Sequence, residues 1–123
     1  MDTTFLVDLA RGDPGARAAA EAMEQASEAV RVPSPAALKL WEGVERARRP
    51  IREAAALRDL LLALPAAPFE TRHALAAARL LADGALDPFD AMVAAIALVE
   101  GETLLTRNAR DFDRIPDLRL RAY

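Results

Sequence analysis

Short apolar stretches alternate along this chain with longer segments of helical period, and that alternation narrows the fold more than any other feature. A short strand followed by a long crossover helix brings the chain back to the same sheet, so repeated units build a parallel sheet covered by helices. Met1–Thr3 reads as the end of a first strand. Thr4–Ala10 reads as a helix ended by Gly12, Asp13 and Pro14, and the Ala-rich Gly15–Ser27 as a second helix. Val30–Val32 is a short strand. Ser34–Ala47 is helical, with Leu38, Trp41 and Glu45 at helical spacing. Pro50 opens a further helix, at a position that tolerates proline, and this runs to about Leu64. Pro65–Phe69 reads as a short strand or extended link. Glu70–Ala82 is a helix stopped by Gly84, and Asp87-Pro88 begins another that Gly101 ends after Glu100. Thr103–Thr106 and Leu118–Ala122 complete the strands. The expectation is an α/β fold of three layers, with a parallel sheet of four or five short strands flanked by helices. All 123 residues are expected to form one domain.

Composition removes several function classes. Hydrophobic residues make up 53% of the chain, enough to bury a core. There is no cysteine, which excludes disulfides and thiolate metal sites and suits a reducing compartment and hard cations. The formal net charge is −3, so any contact with RNA must rest on local basic groups rather than bulk charge. Asp2 and Asp8 sit where a signal peptide would be basic and then apolar. The longest apolar run, around Leu60–Ala67, is broken by Pro65 and is too short to span a membrane. A cytoplasmic location without membrane attachment is expected.

The carboxylates are the candidate chemistry. In parallel α/β sheets, ligands bind beyond the carboxyl ends of the strands. Asp2 ends the first strand, Asp111 follows the Thr103 strand, and Asp90 lies in the first turn of the helix before it. If the first and fourth strands are neighbours, the three acids meet at one edge. Each also has an ordinary role. Asp87 is placed as a helix N-cap with Pro88 behind it, Asp90 favours the helix dipole, and Asp111 and Asp113 suit turns. His73 is the single histidine and has no partner motif, so packing is expected of it. Trp41, Phe69 and Tyr123 are expected as core or interface anchors. The chain has no Gly-rich phosphate loop and no Ser/His/Asp grouping.

Three strings give these acids a context. Asp2-Thr3-Thr4-Phe5-Leu6-Val7-Asp8-Leu9, Phe89-Asp90-Ala91-Met92-Val93-Ala94-Ala95-Ile96-Ala97-Leu98 and Leu105-Thr106-Arg107-Asn108-Ala109-Arg110-Asp111-Phe112 resemble the opening, the central acidic helix and the final active-site turn of VapC-type PIN-domain toxins. They occur in that order and at suitable distances across nearly the whole chain. The resemblance implies a PIN-like fold, Mg²⁺- or Mn²⁺-dependent endoribonuclease activity, a cognate VapB-type antitoxin and a homodimer. Asp2, Asp90 and Asp111 would be the metal-site acids, with Thr4, Thr106 and Asn108 supporting them. Arg107 and Arg110, beside Asp111, are candidates to hold RNA phosphates. Arg46, Arg48, Arg49 and Arg52 read as a solvated helix face.

One position departs from the family. In Ala37-Leu38-Lys39-Leu40-Trp41-Glu42-Gly43-Val44, alignment on Gly43 puts Lys39 where the resemblance expects a glutamate. Of the 16 Lys and Arg residues, Lys39 is the single lysine. A charge reversal that silences a toxic nuclease accounts for this, and an introduced change is the preferred reading over a natural one. Glu42, three residues on, is the available substitute carboxylate. The resulting expectation is a nuclease site with weak metal binding. Its alternative is a catalytically dead PIN-like module that binds antitoxin or RNA. A receiver-like phosphotransfer protein is a third reading, but it needs an acidic pair and a phosphorylatable Asp that the chain does not clearly supply.

Overall fold

The fold is organised around one helix that carries almost no polar surface of its own. The computed structural model describes residues 3–28, 30–46, 52–84 and 86–123. Six helices lie among them: α1 (Thr3–Ala10), α2 (Pro14–Gln25), α3 (Ser34–Arg46), α4 (Arg52–Ala63), α5 (Thr71–Ala82) and α6 (Pro88–Glu100). The described strands are β1 (Val32–Pro33), β2 (Ala66–Ala67), β3 (Leu104–Thr106) and β4 (Leu120–Ala122), with a 3-10 turn at Ala109–Asp111. They form two parallel pairs. Val32 lies opposite Ala66 in the first, and Leu104, Leu105 and Thr106 lie opposite Leu120, Arg121 and Ala122 in the second.

These elements follow the expected order, with strands shorter than expected. Thr3, read as the end of a strand, instead opens α1; Met1 and Asp2 lie outside the described residues. Pro50, expected to open α4, also lies outside them. None of the described helices is long and apolar enough to cross a membrane.

α6 is central because Ala91 and Val93–Ala97 are all buried. A helix buried over most of its circumference must be covered on opposite faces. Val93, Ala94 and Ala97 pack with Ala36 of α3, Leu104 of β3, and Phe112 and Ile115 beyond it. Ala91 and Ala95 pack against Ala77 of α5, where small side chains let the two helices approach closely. A further cluster joins Phe5 and Leu6 of α1, Ala16, Ala19 and Met23 of α2, Val32, Leu40 and Leu105. Leu104 and Leu105 are neighbours on β3 yet belong to different clusters. Strand side chains alternate between faces, so β3 is buried on both sides, as the middle layer of three must be.

Both ends of α6 are held. At its start the Asp87 carboxylate accepts the Asp90 N–H at 2.9 Å, with Pro88 in the first turn. At its end Gly101 adopts φ 66°, a left-handed conformation that glycine enters without steric cost. The Glu102 N–H then reaches the Ala97 carbonyl at 2.9 Å and the Gly101 N–H reaches Leu98 at 3.3 Å. This pair of bonds is a Schellman closure.

His73 ties α5 to this end. It is 1% exposed. Its Nδ1 accepts the Glu70 N–H at 2.8 Å, which leaves Nε2 to carry the proton and donate to Glu100 at 2.9 Å. Arg72 also pairs with Glu100. The expected packing role of His73 is therefore accompanied by a capping role. The His73 hydrogen bond, assisted by the charge of Arg72, holds the Glu100 carboxyl below its ordinary value of 4.5. Such a carboxyl favours folding while ionised, so its contribution is present above about pH 4.5 and is lost as pH falls through the lowered value. Two outcomes are expected from urea unfolding. His73→Ala, which strands the Glu70 N–H and opens a cavity, destabilises by about 2–4 kcal/mol. Glu100→Gln flattens the loss of stability with acid over that window.

Candidate functional site

The sequence-selected residues gather at the N-terminal end of α6 and at the turn after β3. Asp90 stands in the first turn of α6, where the helix dipole favours a carboxylate. The Asp87 carboxyl is held below its ordinary value, first by the Asp90 backbone N–H and further by the charge of Lys39. Asp87 thus caps the helix, as its position before proline implied.

Lys39 reaches this place from α3. Ala36, one turn earlier, is buried against α6, so Lys39 rides the same face toward the start of that helix. Its Nζ lies 4.9 Å from the centroid of the Phe89 ring, a cation–π contact one residue from Asp90. Glu42 does not join it. That side chain is exposed and pairs with Arg46 at 3.8 Å, four residues on along the same helix.

Beyond β3, Thr106 is buried and its Oγ1 accepts the Asn108 N–H at 3.0 Å. This bond turns the chain sharply. The 3-10 turn that follows has the Asp111 N–H bonded to the Asn108 carbonyl at 3.0 Å. Arg110 and Asp111 are exposed. Asp111 lines a groove with Leu80, Asp83, Leu86, Arg114, Ile115 and Pro116. Leu86, one of its walls, directly precedes Asp87 in the chain. Thr4 is half-buried in α1.

Among the described residues no three of His, Cys, Asp and Glu come together as a metal-holding group. Asp2, expected as the third acid, lies outside the described residues. The candidate donors are nonetheless all oxygen: Asp90, Asp111, Thr106 and Asn108. Both ring nitrogens of His73 are engaged, and the chain has no cysteine. Such a set suits Mg²⁺ or Mn²⁺ and not a thiolate-loving metal. The ammonium of Lys39 is the group that does not suit a cation.

Arg107, expected as a candidate phosphate contact, is half exposed and paired with two acids. Its Nη2 lies 3.1 Å from an Asp8 carboxylate oxygen and 3.5 Å from Asp13. Its guanidinium lies over the Tyr123 ring, 5.5 Å from the centroid. Two acids and an aromatic face hold it, which leaves less of its charge for a phosphate. The sequence reading gave no role to Asp8 or Asp13 here. A signal for Asp8 existed, since it is an acid one turn from Phe5 on the buried face of an otherwise apolar helix.

Replacing the cap tests how firmly the start of α6 fixes Asp90. Asp87→Ala is expected to cost about 1 kcal/mol in urea unfolding, and Asp87→Asn, which retains a capping oxygen, only a few tenths.

Solved structures with this fold include VapBC2 from Rickettsia felis bound to a promoter DNA fragment. The likeness has a TM-score of 0.86 at 20% identity and covers 99% of this chain and 96% of that one. A toxin–antitoxin complex from Klebsiella pneumoniae matches with a TM-score of 0.74 at 23% identity, covering 95% and 92%. DNA-bound VapBC from Salmonella typhimurium matches at 0.65 and 27% identity, covering 73% and 72%. No curated protein matches the chain in sequence. The family model described as PIN domain matches residues 1–118, and the chain belongs to the PIN-domain family.

Proposed function

We propose that this chain is a VapC-type toxin whose endoribonuclease site lies at the start of α6 and is silenced by Lys39. The observation that carries this reading is the placement of the Lys39 ammonium over Phe89, beside Asp87 and one residue from Asp90. Position 39 faces the acidic end of α6, where a nuclease of this kind needs a carboxylate.

Asp2, Asp90 and Asp111 would hold Mg²⁺ or Mn²⁺, with Thr4, Thr106 and Asn108 orienting carboxylates, water or phosphate. When bound, the metal lowers the pKa of a water and neutralises charge developing on the phosphodiester. The chain's own groups do the positioning. The Asp87 cap holds the first turn of α6, and Asp90 with it, in place. The Thr106–Asn108 turn aims the Asn108 side chain and sets the start of the Asp111 turn. Arg110, exposed next to Asp111, offers a phosphate contact. Lys39 acts as a resident cation that relieves carboxylate repulsion and opposes a divalent ion. Glu42, paired with Arg46, is a poor substitute carboxylate.

The VapBC complexes of the same fold support a VapB-type antitoxin as partner; a homodimer is the proposed working form. RNA is the proposed substrate. Lys39 also favours a second reading, a non-cleaving module that binds antitoxin or RNA.

Lys39→Glu separates the two. Mg²⁺-dependent cleavage of RNA is expected to rise about tenfold or more over the parent chain, and a further Asp90→Asn change should abolish the gain. Absence of any gain in a folded Lys39→Glu protein overturns the nuclease reading and leaves the binding module.

A further inference from the structure

We infer that Arg107 is a positioning residue that locks the Thr106–Asn108 turn against α1 and α2, and is not a contact for RNA phosphate. The inference rests on the proposed nuclease site for its kinetic consequence, though not for its geometry.

Four elements meet at this side chain. From α1, Asp8 is 7% exposed and receives both the Tyr123 hydroxyl at 2.6 Å and Arg107 at 3.1 Å. From the start of α2, Asp13 caps the helix by accepting the Ala16 N–H at 2.9 Å and takes Arg107 at 3.5 Å. From the residue after β4, the Tyr123 ring lies under the guanidinium and packs edge-on against Phe5, with centroids 5.2 Å apart. Arg107 itself leaves the end of β3 between Thr106 and Asn108.

A buried carboxylate needs a cation or donors around it, because desolvation otherwise favours its neutral form. Asp8 has one of each. Both acids meet one nitrogen, Nη2, at the end of a side chain that reaches further than a lysine's, while its guanidinium carbon lies over the Tyr123 ring. Thr106 points inward and is buried, whereas Arg107 reaches the opposite way to the helices. The backbone between them is therefore pinned from both faces. Asn108, whose N–H is bonded to Thr106, is placed by that pinning.

Arg107→Lys is the decisive variant. It keeps the charge that a phosphate anchor needs but not the reach to both carboxylates from over the Tyr123 ring. In the chain with Lys39 unchanged, hydrogen exchange of the Asn108 amide is expected to quicken about tenfold or more. Unchanged exchange overturns the inference, whatever the activity. In the Lys39→Glu background, Arg107→Lys should lower kcat about tenfold with KM within about twofold. A change confined to KM, or a salt dependence of RNA binding shallower by about one unit in Arg107→Gln, would make Arg107 a phosphate anchor and overturn it. Asp13→Asn keeps the α2 cap and serves if Arg107→Lys does not fold. Positioning predicts faster Asn108 exchange and lower kcat, whereas an anchor released from Asp13 would bind RNA more tightly, with lower KM and unchanged exchange. If Lys39→Glu shows no cleavage, the proposed function fails and the exchange measurement alone decides the role of Arg107.

Discussion

The burial of α6 on opposite faces is the constraint from which the arrangement follows. A helix with Ala91, Ala94 and Ala95 fully enclosed leaves no room for side-chain adjustment between its neighbours. Its position is set by backbone approach, and α3, α5 and β3 are placed by it. Such a helix can move only along its axis. The Asp87 cap and the Gly101 closure resist that motion at the two ends. The Glu100 carboxylate adds a cross-link to α5 through His73. Asp90 inherits this rigidity, because it sits in the first turn of the element the core holds most firmly. The proposed cation site needs a carboxylate that does not drift, and packing around α6 gives Asp90 that fixity.

Much of this was legible in the sequence, for a local reason. Helix ends are written in short-range chemistry. Asp87-Pro88 and Gly101 each announce a boundary through the few residues around them, and the structure places α6 between them. The strands were harder. β1 and β2 are two residues each and β3 and β4 are three, too short for a period of two to stand out from Ala-rich surroundings. What makes β3 a strand is its pairing with β4 and its burial on both faces, which are properties of the assembled layers. The PIN-like order of the three acidic strings was legible too, and the match of the family to residues 1–118 agrees with it.

The partners of Arg107 were not legible, because Asp8 and Asp13 lie far from it in sequence and no local pattern links them. A basic residue beside an acidic turn reads as a phosphate contact when its surroundings are unknown. Once α1 and the end of β4 fold against β3, Asp8 is buried and must be compensated. Arg107 is a cation within reach and pairs with it; in the role inferred above, the need of the acid decides that of the base. Glu42 shows the converse. Sequence spacing alone allowed it onto the face of Lys39, yet Arg46 lies one turn further and takes its carboxylate along the exposed side of α3.

Lys39 concentrates the electrostatic question of the proposed site. The start of α6 already presents the positive end of a helix dipole, partly answered by Asp87 and Asp90. An ammonium held over Phe89 adds a full positive charge to the same small region. Phe89 restrains that charge, since a cation seated on a ring face loses contact by swinging away. A divalent ion arriving there would meet a site whose anionic charge is already partly neutralised. Replacement by a carboxylate changes the local charge by two units and removes the cation–π restraint at once. At the proposed site, position 39 would therefore change metal affinity by more than the loss of one ligand.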